Sequence, residues 1–536
     1  MLQNRSLIFL FFVFLLTGCA KKGIPTGGVK DTIPPLMINA SPKNKTTSFK
    51  SEKITITFDE YFILNDISQQ LIISPPIESD KYTVEPESSI SKKIKIEFTD
   101  SLSLEEKTTY TFNFGSSIQD NNEGNILPFF SYTLSTGRII DSLFLKGRVS
   151  DSFEEQSERF ISLYLYPIDS THNDSTIYLK KPLYVTSTLD TILYRFQNLR
   201  KDNYQIIALK DYGKNYLYDQ GIDKIGFINQ EISLPGDTIY NFRLFKEKPQ
   251  FFWDLPKYIN DHHIIFGYYG IPEEDPIKLI TPVPEGFESF ITQERGKDSL
   301  NFWFPEIEAD SLQFSVKTID STYNINVKFY KPEIDSLVIT PIQKGNINLN
   351  DTLKFKSSLP ITEINKEFII VNNKDSIVLP FELILDKNKD FFQLYFELEP
   401  NDKYSVSVFP RALKDLWGGT NDTINLSLST SSFDSYGEIN LKLNWEIDEQ
   451  DFILEILNLK NEVVRRVLEK NDLNKYTFKL LNPDNYKARI ILDDNKNRKW
   501  DTGSYLKKIQ PERVIYFSDT IELRANWEMN KVFILK

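Results

Sequence analysis

Cysteine and histidine are nearly absent from this sequence of 536 residues. The one cysteine, Cys19, has no partner for a disulfide within the chain. Three histidines, His172, His262 and His263, limit general-base and zinc chemistry, because both depend heavily on imidazole. The sequence also lacks a Gly-x-Ser-x-Gly nucleophile motif and a glycine-rich phosphate-binding loop. These absences argue against a hydrolase triad and against nucleotide binding.

Long apolar runs are scarce too, and the only candidate membrane signal is the segment 7–16. It is shorter than the ~20 apolar residues that a transmembrane helix needs. Arg5 precedes it and Leu16-Thr17-Gly18-Cys19 follows, which is the layout of a cleaved export signal. The last four residues resemble the lipobox of bacterial lipoproteins. The resemblance implies cleavage before Cys19, lipidation of its thiol with a chain such as palmitate, and acylation of its new amino group. The alternatives are a plain secretory signal with an incidental cysteine, or a short membrane span.

The composition is that of a multidomain globular protein. With 40% hydrophobic and 26% charged residues, the chain falls in the ordinary globular range. Its length exceeds the ~250–300 residues that one core serves, and we expect roughly four or five domains. The formal charge of −12 is spread out, with basic and acidic side chains alternating, which argues against a nucleic-acid partner. The 40 Phe and 26 Tyr favour β-structure.

Alternating strands begin after residues 20–36, which have no periodicity and are typical of a tether. Short segments with period two, separated by turn signals, predict a β-sandwich. They are 54–58, 71–73, 94–98, 110–114 and 130–134. Ile56-Thr-Phe-Asp-Glu60, the strand from Tyr110, the Asp120-x-x-x-Gly124 turn and the ending Leu134-Ser-Thr136 resemble the S-layer-type bacterial Ig-like domain, found at the start of many Bacteroidetes lipoproteins. The resemblance covers about residues 31–137.

A second unit follows up to about residue 247, with strands predicted at 143–149, 162–166, 193–196 and 204–209. Its signature occurs twice. Phe196-x-x-Leu199-x-x-Asp202-Asn-Tyr204 returns as Phe478-x-x-Leu481-x-x-Asp484-Asn-Tyr486, and Asp211-x-x-Lys-Asn215-x-x-Tyr-Asp219 returns as Asp493-x-x-Lys-Asn497-x-x-Trp-Asp501. A separation of 282 residues also aligns Asp237-Thr-Ile239 with Asp519-Thr-Ile521, which predicts an ungapped repeat. Both units resemble transthyretin-like (prealbumin-like) β-sandwich modules of surface proteins.

The Ig-like pattern also recurs, with alternating segments at 352–355, 392–396 and 404–408, a turn at 415–418 and an ending Leu428-Ser-Thr430. Segment 249–330 matches neither pattern but is β-rich at 311–316 and 323–327, and 462–469 fits a strand better than a helix because of its place in the repeat. The fold class predicted is therefore all-β, with tandem Ig-like and transthyretin-like β-sandwich domains. The predicted division is signal peptide 1–18, tether 19–36, Ig-like domain 37–137, transthyretin-like domain 138–247, β-rich middle domain 248–331, second Ig-like domain 332–432 and second transthyretin-like domain 433–536.

One loop has the residue types of a cation site. Oxygen-bearing side chains at Asp493, Asn495, Asn497 and Asp501 occupy relative positions 1, 3, 5 and 9, a spacing that can fold around calcium. Arg498 stands where such loops usually have glycine, and Ser504 stands where they usually have a closing Glu. The first copy keeps only Asp211, Asn215 and Asp219, because Gly213 replaces one ligand. The alternative is a structural turn in which Asp and Asn bond their own backbone. No cofactor is required, and calcium is the one the loop could take.

Other candidate constellations favour ordinary structure. The acidic pairs Glu105-Glu106, Glu154-Glu155 and Glu273-Glu274 could serve a glycosidase, but adjacent carboxylates on loops are typical of solvated surface. The pair His262-His263 precedes an aromatic stretch, and with no further ligand nearby a strand with edge histidines explains it better than a metal site.

Two functional readings follow. The first is a non-enzymatic outer-membrane lipoprotein, a rod of β-sandwiches that acts as a scaffold or as a subunit of an envelope complex for assembly, export or uptake, with a lipid anchor and a β-barrel or other envelope protein as partners. The alternative is a surface adhesin or a glycan- or peptide-binding lipoprotein. The membrane face stays open, because surface-exported lipoproteins of the implied phylum often carry acidic residues after the cysteine, whereas residues 20–23 are Ala-Lys-Lys-Gly.

Overall fold

The chain folds almost entirely as β-structure, which confirms the predicted class. The computed structural model describes residues 30–87, 89–99, 102–272, 276–305, 307–318, 320–330 and 336–536. Cys19 and the predicted signal peptide lie outside these residues. Within them are forty-two strands, two single-turn helices and three 3₁₀ turns. The helices are α1 (Ile67–Gln70) and α2 (Thr176–Leu179), and the 3₁₀ turns are Ser79–Lys81, Lys366–Phe368 and Phe433–Ser435. None of the described helices is long and apolar enough to cross a membrane.

Domain 1 comprises β1 (Met37–Ser41), β2 (Lys53–Leu64), β3 (Ile72–Ser74), β4 (Tyr82–Glu85), β5 (Ser91–Phe98), β6 (Thr109–Asn113), β7 (Ile118–Asp120) and β8 (Ser131–Ser135). One sheet has the order β1-β2-β5-β4, with β7 beside β2, and the other has the order β3-β6-β8. Alternation sets the packing, since Ile54, Ile56 and Phe58 of β2 are fully buried between the sheets. The side chains between them, Thr55 and Thr57, remain partly exposed.

Domain 4 comprises β25 (Ile339–Pro341), β26 (Gly345–Asn346), β27 (Leu353–Ser357), β28 (Ile361–Ile364), β29 (Ile369–Asn372), β30 (Glu382–Leu385), β31 (Phe391–Tyr395), β32 (Lys403–Val408), β33 (Leu413–Asp415) and β34 (Ile424–Ser429). Its two larger sheets, β25-β27-β31-β30 and β26-β34-β32-β29, repeat the strand order of domain 1, and β28 pairs with β33 as β2 pairs with β7. Even the parallel bridge from Thr46 to Leu134 recurs, between Gly345 and Leu428. The pattern-level similarity between the two segments therefore reflects a shared topology.

Domain 2 comprises β9 (Leu143–Asp151), β10 (Ser162–Pro167), β11 (Tyr184–Ser187), β12 (Leu193–Leu199), β13 (Asn203–Lys210), β14 (Lys224–Phe227), β15 (Ile232–Ser233) and β16 (Phe242–Lys246). The strands follow the order β11-β10-β13-β14-β16-β9-β12, with β15 beside β13. The sheet folds over a core that contains Leu145, Leu163 and Phe196.

Domain 5 comprises β35 (Gly437–Trp445), β36 (Phe452–Asn458), β37 (Val463–Val467), β38 (Lys475–Leu481), β39 (Asp484–Leu492), β40 (Val514–Tyr516), β41 (Ile521–Leu523) and β42 (Glu528–Leu535). The pairings β38-β35-β42 and β37-β36-β39-β40, with β41 beside β39, each have a counterpart in domain 2, where an additional pairing of β14 with β16 joins the two sets of strands. Segment 462–469 contains strand β37 and not a helix, as predicted.

The prediction of an ungapped repeat is wrong in its last part. Tyr204 pairs with Ile232, and the equivalent Tyr486 pairs with Ile521. The two tyrosines are 282 residues apart, but the two isoleucines are 289 apart. Ile521 is therefore the counterpart of Ile232, and the alignment with Ile239 does not correspond to an equivalent position. Domain 5 contains seven extra residues between the Asp501 loop and β40.

Domain 3 comprises β17 (Phe252–Trp253), β18 (Lys257–Asn260), β19 (His263–Tyr269), β20 (Ile277–Leu279), β21 (Phe290–Gln293), β22 (Ser299–Trp303), β23 (Ser311–Lys317) and β24 (Thr322–Lys328). Its sheets are β17-β19-β22-β21, with β18 beside β19, and β20-β23-β24. The prediction of edge histidines is wrong, because β19 lies inside its sheet. His263 stacks on Trp303 at 3.9 Å, and His262 stacks on Trp417 of domain 4 at 4.4 Å.

The sequence suggests a linear rod of domains, but the domains do not form one. Domain 1 contacts domain 2, where Gln70 Nε2 donates to Asp190 Oδ2 at 2.9 Å. Domain 3 contacts domain 4 through His262, and domain 4 contacts domain 5, where Asn348 Nδ2 donates to the Leu480 carbonyl. Domain 5 then packs against domain 2. The chain of domains from 2 to 5 therefore returns on itself, because a buried contact joins its two ends.

Candidate functional site

The predicted cation loop of domain 5 is a turn held by its own side chains. Asp493, only 4% exposed, accepts backbone N–H bonds from Asn497 at 3.0 Å and from Arg498 at 2.8 Å. Asn497 Oδ1 accepts from the Lys499 N–H, and the Asn495 and Asn497 side-chain amides both donate to Asp501 Oδ2. The structure thus brings Asp493, Asn495, Asn497 and Asp501 together, as the spacing predicts.

A carboxylate that the sequence reasoning missed closes this loop. Glu512 Oε1 accepts from the Asp494 N–H at 3.0 Å, and its Oε2 accepts from the Asp501 N–H at 2.9 Å. The loop of domain 2 has the same device. There Asp223 accepts from the Tyr212 and Asp219 N–H groups, both at 3.0 Å. Glu512 lies beyond the seven extra residues, whereas position 12 of the loop, where a closing Glu is usual, is occupied by Ser504.

Burial raises the pKa of Glu512, and the negative charges of Asp501 and Asp493 add to this shift. A cation at the loop would relieve this repulsion. Within the described part of the chain, however, no three or more His, Cys, Asp and Glu side chains are grouped so as to hold a metal ion. The side-chain oxygens of the loop already accept hydrogen bonds from backbone N–H groups, which is the arrangement expected of a purely structural turn. Calcium binding at Asp493, Asn495, Asn497 and Asp501 stays a prediction.

The extra residues of domain 5 form a short hairpin that inserts into domain 2. The hairpin is closed by paired backbone hydrogen bonds between Ser504 and Ile509. Tyr505 at its tip is fully buried, and its ring packs edge-on against Phe227 at 5.4 Å. Burial raises the pKa of Tyr505 to about 12. The aromatic side chains on this face of domain 2 therefore belong to a core shared by two domains.

Directed hydrogen bonds fix the hairpin in its position. The Tyr505 N–H donates to Glu247 Oε1 at 2.7 Å, and Gln205 Nε2 donates to the Tyr505 hydroxyl at 2.9 Å. Glu247 is buried and also accepts from the Tyr218 hydroxyl at 2.6 Å. Tyr218 belongs to the Asp211 loop of domain 2. This loop therefore positions the Glu247 carboxylate that binds the hairpin of domain 5. A buried carboxylate with several donors specifies one docked geometry.

A second contact between domains 2 and 5 surrounds Phe153. Its ring lies 4.8 Å from Trp500, and the Arg489 guanidinium lies over it at 4.4 Å. Arg489 is nearly buried and pairs through Nε with Glu455, which is completely buried, at 2.7 Å. At the edge of the contact, Lys487 Nζ lies 2.7 Å from Glu155. The loop, the hairpin and this ion pair form one continuous junction.

The remaining candidate residues that the structure describes are not assembled into a site. Glu105 and Glu106 are exposed on a loop, in agreement with the surface interpretation. Glu155 takes part in the junction, whereas Glu273 and Glu274 lie outside the described residues. His263 Nε2 lies 2.9 Å from Asn301 Oδ1, so it makes a structural contact within domain 3.

A family model described as a bacterial Ig-like domain matches residues 31–136. This match confirms the resemblance predicted for the first domain, and it covers less than a quarter of the chain. The chain is an all-β protein of tandem β-sandwich domains, the first of which is similar to the bacterial Ig-like domain. The comparison with curated proteins gives no match.

Several solved structures of tandem-domain proteins align with the chain at low similarity. Domains A168–A170 of titin share 12% identity, with 52% of this chain and 99% of that one covered and a TM-score of 0.13. BcpA, the major pilin subunit of Bacillus cereus, shares 10% identity, with 73% and 98% covered and a TM-score of 0.14. Domains 1–6 of the surface layer protein SbsC share 8% identity, with 86% and 66% covered and a TM-score of 0.14. TM-scores this low carry no argument about arrangement or function.

Proposed function

We propose that this protein is a non-enzymatic lipoprotein of the outer membrane, anchored through Cys19, that serves as a scaffold or subunit of an envelope protein complex. The observation that carries the proposal is the junction between domains 2 and 5. A fully buried Tyr505 and directed bonds to Glu247 hold together two domains that are far apart in the sequence. A fixed arrangement of domains suits a protein that presents surfaces to partners in a defined geometry.

The proposal also explains why the chain maintains several domain contacts at once. A flexible string of modules needs only linkers, whereas here hydrogen bonds between domains fix their orientation at each contact, as at Asn348 and Gln70. The expected partners are an outer-membrane β-barrel or other envelope proteins, with the lipid anchor keeping the scaffold at the membrane.

One specific observation favours the alternative, a surface adhesin or glycan-binding lipoprotein. Phe252 and Tyr269 of domain 3 stack on one another at 4.5 Å, and both are nearly half exposed. Leu255 nearby in sequence is 86% exposed. Exposed aromatic faces can stack on sugar rings or dock a protein.

Affinity purification of the intact lipoprotein in mild detergent tests the proposal against the alternative. We expect a β-barrel or another envelope protein to co-purify in a stoichiometric ratio. Cys19→Ala should move the protein out of the membrane fraction and end its labelling by palmitate. A monomer that purifies alone and binds glycans, with the binding lost in Phe252→Ala, would overturn the scaffold proposal and support the alternative.

A further inference from the structure

A groove of about 730 Å³ lies where domain 1 meets the outer face of β9 and β12 in domain 2. Three apolar side chains in it are largely exposed, namely Phe129 of domain 1 at 56%, Leu193 at 62% and Ile239 at 61%. Exposed apolar side chains gathered in one groove are uncommon on a monomer unless something binds there.

Three cations share this groove. Alternation along β9 and β12 turns Lys146, Arg148 and Arg195 outward, while Leu145 and Phe196 face the core. Among the described residues, no carboxylate oxygen lies within 4.0 Å of any of the three cations. Other cations of domain 2 do have carboxylate partners, as at Lys181, Arg200, Lys210 and Lys224. In a chain of net charge −12, this face is a local positive patch.

The register of the sheet makes the patch unfavourable by itself. Lys146 stands directly opposite Arg195 across the β9–β12 pair, and Arg148 stands opposite Leu193. Like charges directly opposite in an antiparallel pair destabilise it. The Arg195 guanidinium lies 4.8 Å from the Phe144 ring, a contact that holds it on the sheet without neutralising it. A bound anion would remove this repulsion.

The repeat provides an internal comparison. In domain 5 the positions of Lys146 and Arg195 are taken by Asn440 and Thr477, which pair in the same register. The Thr477 hydroxyl donates to Asn440 Oδ1, so a neutral pair satisfies the same sheet. The fold of this module does not need two cations at that place.

We propose that this groove binds an extended, acidic segment of a protein partner. Its carboxylates would face Lys146, Arg148 and Arg195, and its apolar side chains would contact Phe129, Leu193 and Ile239. Because the groove carries three cations, charge complementarity requires a negatively charged ligand. An extended segment fits better than a lipid chain, because the groove is open along a sheet face and its apolar side chains are interspersed with cations. The inference rests on the proposed function, since it supposes that the partner is another protein of the envelope complex.

A titration with a defined probe tests the groove on the isolated protein. The probe is a fluorescein-labelled peptide of ten residues in which Glu and Leu alternate, followed by fluorescence anisotropy. We expect saturable binding that weakens when NaCl is raised, because the contacts are exposed and screened. The same peptide with Lys in place of Glu should not bind. Binding of phosphatidylglycerol vesicles with no binding of the acidic peptide would overturn the proposal in favour of a lipid site.

Variants taken from the repeat locate the binding. Lys146→Asn combined with Arg195→Thr introduces the residues of domain 5 and should weaken peptide binding by about ten-fold, given the usual size of exposed charge contacts. The matched control is Lys442→Asn with Lys475→Thr, which removes two facing lysines from the equivalent sheet of domain 5, away from the groove. Equal weakening by both pairs, or by neither, would contradict the assignment. Thermal melting checks that both variants remain folded.

The two proposals can fail separately. Loss of peptide binding in every form, with co-purification of an envelope protein intact, would remove the groove and leave the scaffold function standing. Specific peptide binding without any stoichiometric partner would support the groove and overturn the scaffold function.

Discussion

Replacing Tyr505 by alanine should open the junction between domains 2 and 5. Tyr505 is completely buried, although it belongs to a hairpin whose other residues are partly exposed. Its ring contacts Phe227 at 5.4 Å and Tyr178 at 6.3 Å, and its hydroxyl accepts from Gln205. Every one of these contacts crosses from domain 5 to domain 2. The cost of Tyr505→Ala therefore falls on docking and not on the fold of either domain.

The size of the effect follows from the burial. Truncation of a fully buried aromatic side chain costs about 3–5 kcal/mol. At about 1.4 kcal/mol for each factor of ten, the undocked population should rise by a factor of roughly 10² to several times 10³. Tyr505→Phe keeps the ring and loses only the bond from Gln205, which is worth about 1 kcal/mol, so a rise of roughly five-fold is expected. Domains 3 and 4 still tether domain 5 near domain 2, which keeps docking intramolecular.

Hydrogen exchange measures this population directly. The Ser504 N–H donates to the Ile509 carbonyl and the Ile509 N–H to the Ser504 carbonyl within the inserted hairpin. The exchange of both amides should accelerate in Tyr505→Ala by about the same factor as the undocking. The amides of β14, which line the receiving face, should follow. Tyr323→Ala, a substitution at a tyrosine 42% exposed in domain 3, is the control and should leave both segments unchanged.

Unchanged exchange at the hairpin and at β14 in Tyr505→Ala would refute the reasoning. It would mean that the contacts of Phe153 with Trp500 and Arg489 hold the junction without Tyr505. Faster exchange throughout domain 5, including its central strand β39, would show instead that the substitution unfolds the domain.

Three further predictions concern domain 5. Glu455→Ala should lower the free energy of unfolding of domain 5 in urea by about 3–5 kcal/mol, because Arg489 stays buried without its counter-ion. Glu455→Leu combined with Arg489→Met should recover most of this loss. Equal stability of the single and double variants would contradict the prediction. Burial raises the pKa of Glu512, so the folded protein holds this proton more tightly than the unfolded chain, and the stability contributed by Glu512 falls as pH rises through its raised pKa. The stability of Glu512→Gln relative to the native protein should therefore rise between pH 4 and 7, and a flat difference would count against the shift. If the Asp493 loop binds calcium, EGTA should lower the melting temperature of the native protein but not of Asp493→Ala, and identical melting with and without EGTA would leave the structural turn.

Strand-level features followed from local chemistry. Period-two alternation located strands such as β2, β5 and β32, because a strand with one face toward the core turns every second side chain inward. The repeated signature identified matching modules because the residues that shape a turn, such as Asp211 and Asp493, keep their spacing. The cation loop was found for the same reason, since Asp493 and Asp501 lie within nine residues of one another.

Contacts across long sequence separations could not be predicted in this way. Glu512 closes the Asp493 loop from beyond an insertion, and no fixed spacing points to it. The 282-residue match at Asp519 concealed that insertion, because it aligned two Asp-Thr-Ile segments that do not occupy equivalent positions in the fold. The like charges of Lys146 and Arg195 also became visible only when the sheet register placed them opposite one another.

The sequence by itself determined the all-β class, the two kinds of repeated module and the residues of the turns, since all of these depend on spacing along the chain. The tertiary structure decided how the modules sit together. A hairpin of seven extra residues carries Tyr505 out of domain 5, and the aromatic face of domain 2 buries it against Phe227 and Glu247. The physical reason is that burial of an aromatic side chain depends on two surfaces meeting, and neither surface is encoded by the local pattern of the other.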